Sequence, residues 1–165
     1  MTLDVRPSLG ALIDGVTTNA GGRKQRFQYI PWGRHWDDRR WAAIQNDSAR
    51  VSAGTAPDSV ISIRAIANPT EEANVGGDAA KNRQVLDIML WWQDGADITG
   101  PDAFRAAVVN AVKAIVRANK RTTSPATFVT VIDVRDGDEL MGGQTGTIKH
   151  LAIVTVRAEG HELYG

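Results

Sequence analysis

Two stretches of the chain, RQVLDIMLWWQD (83–94) and TIKHLAIVTVRAE (147–159), constrain its fold more than any other feature. In the first, Leu86, Ile88, Leu90 and Trp92 recur at every second position, with Val85, Asp87, Met89 and Trp91 between them. A period of two belongs to a pleated strand, whose successive side chains leave by opposite faces. The first set is wholly apolar and has to meet a core. The second mixes a carboxylate with large apolar groups, which predicts a face only partly buried. The later stretch is rich in Thr, Val and Ile, residues that pack well on a pleated surface.

A helix stands between these strands. In TGPDAFRAAVVNAVKAIVRANKR (99–121), Thr99 can cap, Pro101 is preset for a first turn, and Asp102 sits where the helix dipole favours negative charge. Phe104, Ala107, Val108, Ala111, Val112, Ile115 and Val116 form one apolar stripe opposite Asn110, Lys113 and Arg117, with Lys120 and Arg121 at the negative end. Such a helix should lie on a sheet.

The remaining elements are shorter. SVISIRAIA (59–67) reads as a strand with Ile61, Ile63 and Ala65 on one face and Ser62 and Arg64 on the other. TFVTVIDVR (127–135) reads as a strand joined to the last one by the hairpin-like connection DGDELMGGQTG. PSLGALIDGV (7–16) spaces Leu9, Leu12, Ile13 and Val16 for a short amphipathic helix that starts at Pro7. NPTEEANVGGDAAKN, between the first two strands, reads as an exposed polar loop. From NAGGRKQRF to about Ala56 periodicity is lost, and the segment reads as a long loop or extension with a helical turn or two from Asp37.

The order is therefore helix, long insertion, strand, strand, helix, strand, strand. Strands in runs, without strict alternation with helices, predict an α+β fold: a mostly antiparallel sheet of about four or more strands with helices packed on one face. At 165 residues one domain, 1–165, accounts for the chain, with an inserted loop or arm at about 19–57.

Charge and cysteine content narrow the function. Lys plus Arg equals Asp plus Glu at 19 each, so no overall field draws the molecule to nucleic acid or to an anionic membrane. The absence of cysteine excludes disulfides, thiolate zinc sites and a cysteine nucleophile. No apolar run reaches the roughly 20 residues of a bilayer-spanning helix, and the N-terminal stretch lacks a signal-peptide pattern. The expectation is a soluble protein made in a cytoplasm.

Motifs that carry chemistry do not line up. GGQTGTIK misplaces the lysine of a phosphate-cradling loop and runs into a strand, and GGDAAKN lacks the following Ser or Thr. Asp133, Asp136, Asp138 and Glu139 miss the register of a calcium loop. His35, His150 and His161 are far apart, and no G-x-S-x-G or H-E-x-x-H occurs. The reading is of no catalytic, cofactor-binding or metal site.

The most unusual segment is IPWGRHWDDRRW (30–41), which holds three of the five tryptophans. Between residues 21 and 50, Arg23, Lys24, Arg26, Arg34, Arg39, Arg40 and Arg50 outnumber Asp37, Asp38 and Asp47. Aromatics beside cations serve single-strand binding, but Trp and Arg are also the residues most enriched at protein–protein hot spots. With no net charge behind the segment, the interface reading leads. Its candidate residues are Trp32, Arg34, Trp36, Arg39, Arg40 and Trp41, joined by Trp91, which faces away from Trp92 on its strand.

In layout the chain resembles the tail terminator (tail completion) proteins of long-tailed bacteriophages. The resemblance is carried by the N-terminal helix SLGALIDGV, the strand SVISIRAIA, the strand RQVLDIMLWWQD ending in aromatics, the helix GPDAFRAAVVNAVKAIV and the terminal strand HLAIVTVRAE, and covers most of 8–159. It implies an α+β subunit that forms a ring, expected to be hexameric, on the head-proximal end of the tail tube. Such a ring stops tube growth and offers a surface to the neck. It further implies a non-enzymatic virion protein without cofactors, assembled in the host cytoplasm. Its partners would be its own copies, the tail tube protein, the sheath and the neck connectors, with no membrane, and with genomic DNA only passing through a lumen. The segment 19–57 exceeds that layout and reads as an arm towards the next subunit, the sheath or the neck. Three readings stand beside this one: another neck, head-completion or tail tube protein; a small nucleic-acid-binding module using residues 21–50; and a small enzyme with a cryptic site.

Overall fold

A computed structural model describes residues 3–20, 23–30, 59–66, 70–73, 79–95, 101–136, 139–140 and 147–163. Its frame is the pair of strands that dominate the sequence. β6 (Ala79–Gly95) and β9 (Thr147–Leu163) are 17 residues each and pair antiparallel from Ala79↔Leu163 to Gly95↔Thr147. At about 3.3 Å per residue each runs for roughly 55 Å.

Shorter strands flank this pair. On the outer side of β6 lie β4 (Ser59–Ala65) and β5 (Thr70–Ala73), and on the outer side of β9 lie β7 (Phe128–Asp136) and β8 (Glu139–Leu140), all antiparallel to their neighbours. β3 (Gln28–Tyr29) adds to β4 as the parallel member, giving the order β3-β4-β6-β9-β7. The fold is α+β: among the described residues, a mixed sheet with this five-strand path, extended by β5 and β8 to seven strands, and two helices, α1 (Arg6–Ile13) and α2 (Pro101–Ala118).

Both helices pack on one face. Leu9 and Ile13 from α1 and Phe104, Val108, Val112 and Val116 from α2 meet Ile61, Ile63, Leu86, Ile88, Leu90, Trp92, Val154 and Val156 in the main core. Burying a side chain of this size contributes roughly 1.5–3 kcal/mol relative to exposure, so the two helices are held by packing. Val109, outside the expected stripe, is buried as well. α2 starts at Pro101 as expected, and the expected capping residue Thr99 lies outside the described residues. At its other end Asn119 Nδ2 donates to Ile115 O at 2.9 Å and Thr123 Oγ1 donates to Asn119 O at 2.8 Å, satisfying last-turn carbonyls.

Three expectations change. Residues 17–20 and 23–30 are part of the folded body: β1 (Thr17–Ala20) and β2 (Arg23–Arg26) form an antiparallel ribbon. Gly15, at φ 77°, ends the helical run in the left-handed conformation that favours glycine, and its N–H donates to Phe27 O at 2.8 Å. Phe27, which follows the ribbon, is fully buried between Trp92 and Phe104. The polar stretch read as one loop after β4 contains β5, paired with Ala80–Arg83. The second face of β6 is more covered than expected, since Asp87, Met89 and Trp91 are 0, 4 and 5% exposed and Val85 alone is half-buried. The expected turn from Asp37 lies outside the described residues.

Candidate assembly surface

The face of the sheet opposite α1 and α2 is divided along the strands. One half is apolar: Ile30, Val60, Met89, Trp91, Leu151 and Ile153 form a second buried cluster. Trp91 therefore lies in a cluster built from its own chain. The other candidate residues, Trp32, Arg34, Trp36, Arg39, Arg40 and Trp41, lie outside the described residues. Arg23, Lys24 and Arg26 fall on β2.

The other half is polar and centred on Asp87. The register sets Arg64, Asp87, Thr155 and Asp133 side by side on four adjacent strands. Thr155 Oγ1 donates to Asp87 Oδ1 at 2.7 Å, Arg64 Nη2 donates to Oδ2 at 2.9 Å, and Arg135 Nη2 reaches both oxygens at 3.1 Å. A carboxylate removed from water is costly unless its lone pairs are filled by donors, and here four contacts fill them. Both guanidiniums stay partly open to solvent, with side-chain exposures of 32% for Arg64 and 48% for Arg135. Arg135 Nε also approaches Asp133 at 3.5 Å, while Glu159 lies between Arg83 at 3.7 Å and Arg157 at 3.4 Å. Positive and negative groups thus alternate over this half.

A third group fastens α2 to the sheet. Arg105 lies over the Trp92 ring with its guanidinium carbon 5.1 Å from the centroid, and Nη1 donates to Leu151 O at 2.9 Å and to Asp136 Oδ1 at 3.0 Å. His150 stacks on Trp92 with ring centroids 5.3 Å apart, and its Nδ1 is 3.4 Å from Arg105 Nη2. The contacts link a helix to the ends of β7 and β9. Their geometry is that of a brace.

The acidic residues proposed and dismissed for calcium follow the same pattern: Asp133 meets Arg135 and Asp136 meets Arg105. His161 is opposite Lys81 on the long ladder, away from His150. Among the described residues no group of three His, Asp or Glu side chains is placed to hold a metal ion. No helix among them is long and apolar enough to cross a membrane, which leaves strands out of account.

The edges of the sheet are the exposed part. Residues 132–136 of β7 are all exposed, and a register shift between Val131 and Asp133 makes Ile132 the extra residue of a bulge. On the opposite side, among the described residues, β3 pairs with β4 at Val60 and Ile61. Ile66 at 49%, Ile132 at 47% and Val134 at 39% are the exposed large apolar side chains among the described residues. The Asp87 constellation and the two edges escape a search for motifs, because cross-strand rows become neighbours only once register is fixed. The one signal in the sequence is a lone Asp inside an apolar alternation.

No protein-family model matches the chain, and no curated protein matches it in sequence.

Proposed function

We propose that the chain is a structural, non-enzymatic virion protein whose copies form a ring, expected to be hexameric, that caps the head-proximal end of a phage tail tube. In this role it ends tube growth and offers the neck a surface to attach to. The observation that carries the reading is the spatial layout: a short N-terminal helix and the helix after the Trp-bearing strand pack together on one face of a four-strand antiparallel core, in the chain order that makes the sequence resemble tail terminators. The character of the polar groups agrees with it. Asp87, Arg105 and Asp136 are engaged in bonds that hold strands and helix together, which is what a component of an assembly needs of them.

The test uses the full chain and a tail tube protein from the same genome. Tube subunits are polymerised with and without the chain, and lengths and ends are measured by negative-stain electron microscopy. A capping ring shortens the tubes at a fixed subunit supply and adds a ring of density to one end. Unchanged lengths with bare ends would refute the proposal.

A further inference from the structure

We infer that copies of this chain join through their sheet edges, β7 of one copy lying antiparallel against β4 of the next. The inference deepens the ring reading and rests on it for the identity of the partner, a second copy of this chain.

Exposed apolar groups give the first argument. Ile132 and Val134 are on β7, and Ile66 follows directly on β4, so among the described residues the large apolar side chains left in water stand at the two opposite edges of one sheet. A contact between unlike edges covers both ends of every copy but the last, and a ring has no last copy. Pairing β7 with a second β7 would instead stop at two copies and leave Ile66 in water.

Strand polarity gives the second. Direction reverses at each step from β4 to β6, β9 and β7, so β4 and β7 run opposite ways. A neighbour brought alongside by rotation about an axis near the strand direction therefore presents β4 antiparallel to β7, the more stable pairing. Beyond Val129, whose N–H donates to Lys120 O at 2.8 Å, β7 has main-chain groups available for it. Among the described residues, the outer side of β7 pairs with no strand, and that of β4 pairs with none beyond Ile61.

Charge gives the third. Bulges and charged residues often protect an edge strand from unwanted pairing, and β7 has both. Its carboxylates, paired within the subunit to Arg135 and Arg105, still keep 56% and 67% of the Asp133 and Asp136 side chains open, and Arg64 on β4, bound to Asp87, keeps 32% open, so an Arg64–carboxylate contact between copies would add to these pairs. The bulge at Ile132 adds local twist, which suits a sheet that must curve to close.

The absence of native cysteine permits a direct test. Ile66→Cys is combined with Ile132→Cys in one variant and with Val134→Cys in another, and each is oxidised at the highest concentration at which the protein stays dispersed. Opposed residues of antiparallel neighbours have Cα atoms about 4.5–5.5 Å apart, inside the range a disulfide spans. Within one copy the two edges are separated by three strand spacings of about 4.8 Å, too far for a bridge. The expected result is a ladder of covalent multimers from at least one double variant and monomers from each single variant. Dimers from single Ile132→Cys or Val134→Cys would mean β7 pairs with itself and would overturn the inference, as would the lack of a ladder from both double variants. Val134→Asp and Ile66→Asp are each expected to reduce the assembly to monomers by light scattering, with circular dichroism unchanged because both positions are exposed. Variants that still assemble would also overturn it. Rings that cap tubes without cross-linking would sink the edge contact and leave the functional proposal standing; ladders from a protein that ignores tubes would do the reverse.

Discussion

Replacing Asp87 by Asn keeps the shape of the side chain and removes its charge, so it isolates what the carboxylate contributes. The site is fully buried, and the amide would set an NH2 group against donors from Arg64, Arg135 or Thr155. A hydrogen bond to a charged group contributes roughly 1.5–3 kcal/mol, and two guanidiniums are involved. Both are partly exposed and recover water when released, so about half of that sum is lost, or about 1.5–3 kcal/mol. For a chain of this length 1 kcal/mol moves the melting temperature by roughly 2–4 °C, which predicts a fall of about 3–12 °C by calorimetry. Arg64→Ala or Arg135→Ala alone leaves the carboxylate with one guanidinium and the threonine, at a cost of about 1–2 kcal/mol each. The double variant should cost more than the sum, because a buried charge then keeps only a hydroxyl. An Asp87→Asn protein melting within about 2 °C of the parent would refute the claim that charge at this point holds four strands in place.

Further outcomes follow from single contacts. Gly10→Ala puts a methyl into the Tyr29 ring and should destabilise by about 1–3 kcal/mol in urea titrations, despite the better helix propensity of alanine; in a Tyr29→Ala background the same change should stabilise. Ser59 is fully buried with a hydroxyl that has no hydrogen-bond partner, so Ser59→Ala should raise stability by up to about 1 kcal/mol, measured the same way. The bond from Arg6 holds the Asp4 carboxyl below the ordinary carboxylate value of 3.8. A lowered value means that its stabilisation is present above that pH and is lost as pH falls through the folded value. Asp4→Asn should therefore cost under about 1 kcal/mol at neutral pH, because the pair is more than a third exposed, and progressively less as pH falls through the folded value.

The sequence reveals those parts of this fold that bury apolar side chains at regular spacing. Leu86, Ile88, Leu90 and Trp92 all enter the core, as do Phe104, Val108, Val112 and Val116. What it conceals has physical causes. The ribbon of Thr17–Ala20 and Arg23–Arg26 and the strand Thr70–Ala73 are formed by polar residues, so main-chain pairing leaves no apolar period to read. Phe27 is a single aromatic in a basic stretch, and its burial depends on Trp92 and Phe104 being brought beside it from distant positions. The alternation of β6 gave the faces but misjudged the second one. An Asp in the series suggests water, whereas Arg64, Arg135 and Thr155, on three other strands, let it be buried. Of the candidate interface residues, Trp91 alone falls among the described ones, and it is covered by its own chain.

A charged group at the centre of a sheet face does more than add stability, because it fixes register. Slipping β6 by one residue against β4 and β9 would turn Asp87 towards the helices and Leu86 or Ile88 towards the arginines, a change no apolar row would resist as strongly. Register in turn sets where Ile66 stands relative to Ile132 and Val134, and hence the angle at which one copy would meet the next. Register can be tested apart from stability by Asp87→Leu, which keeps the branched outline of the side chain and removes both its charge and its hydrogen bonds. Taking one partner out of a buried ion group destabilises, so the variant should melt below the parent by an amount similar to Asp87→Asn. Among the molecules that remain folded, native mass spectrometry should find a spread of assemblies in place of one. A uniform ring from Asp87→Leu would show that the apolar packing of β6 sets register unaided, and that the buried carboxylate matters for stability alone.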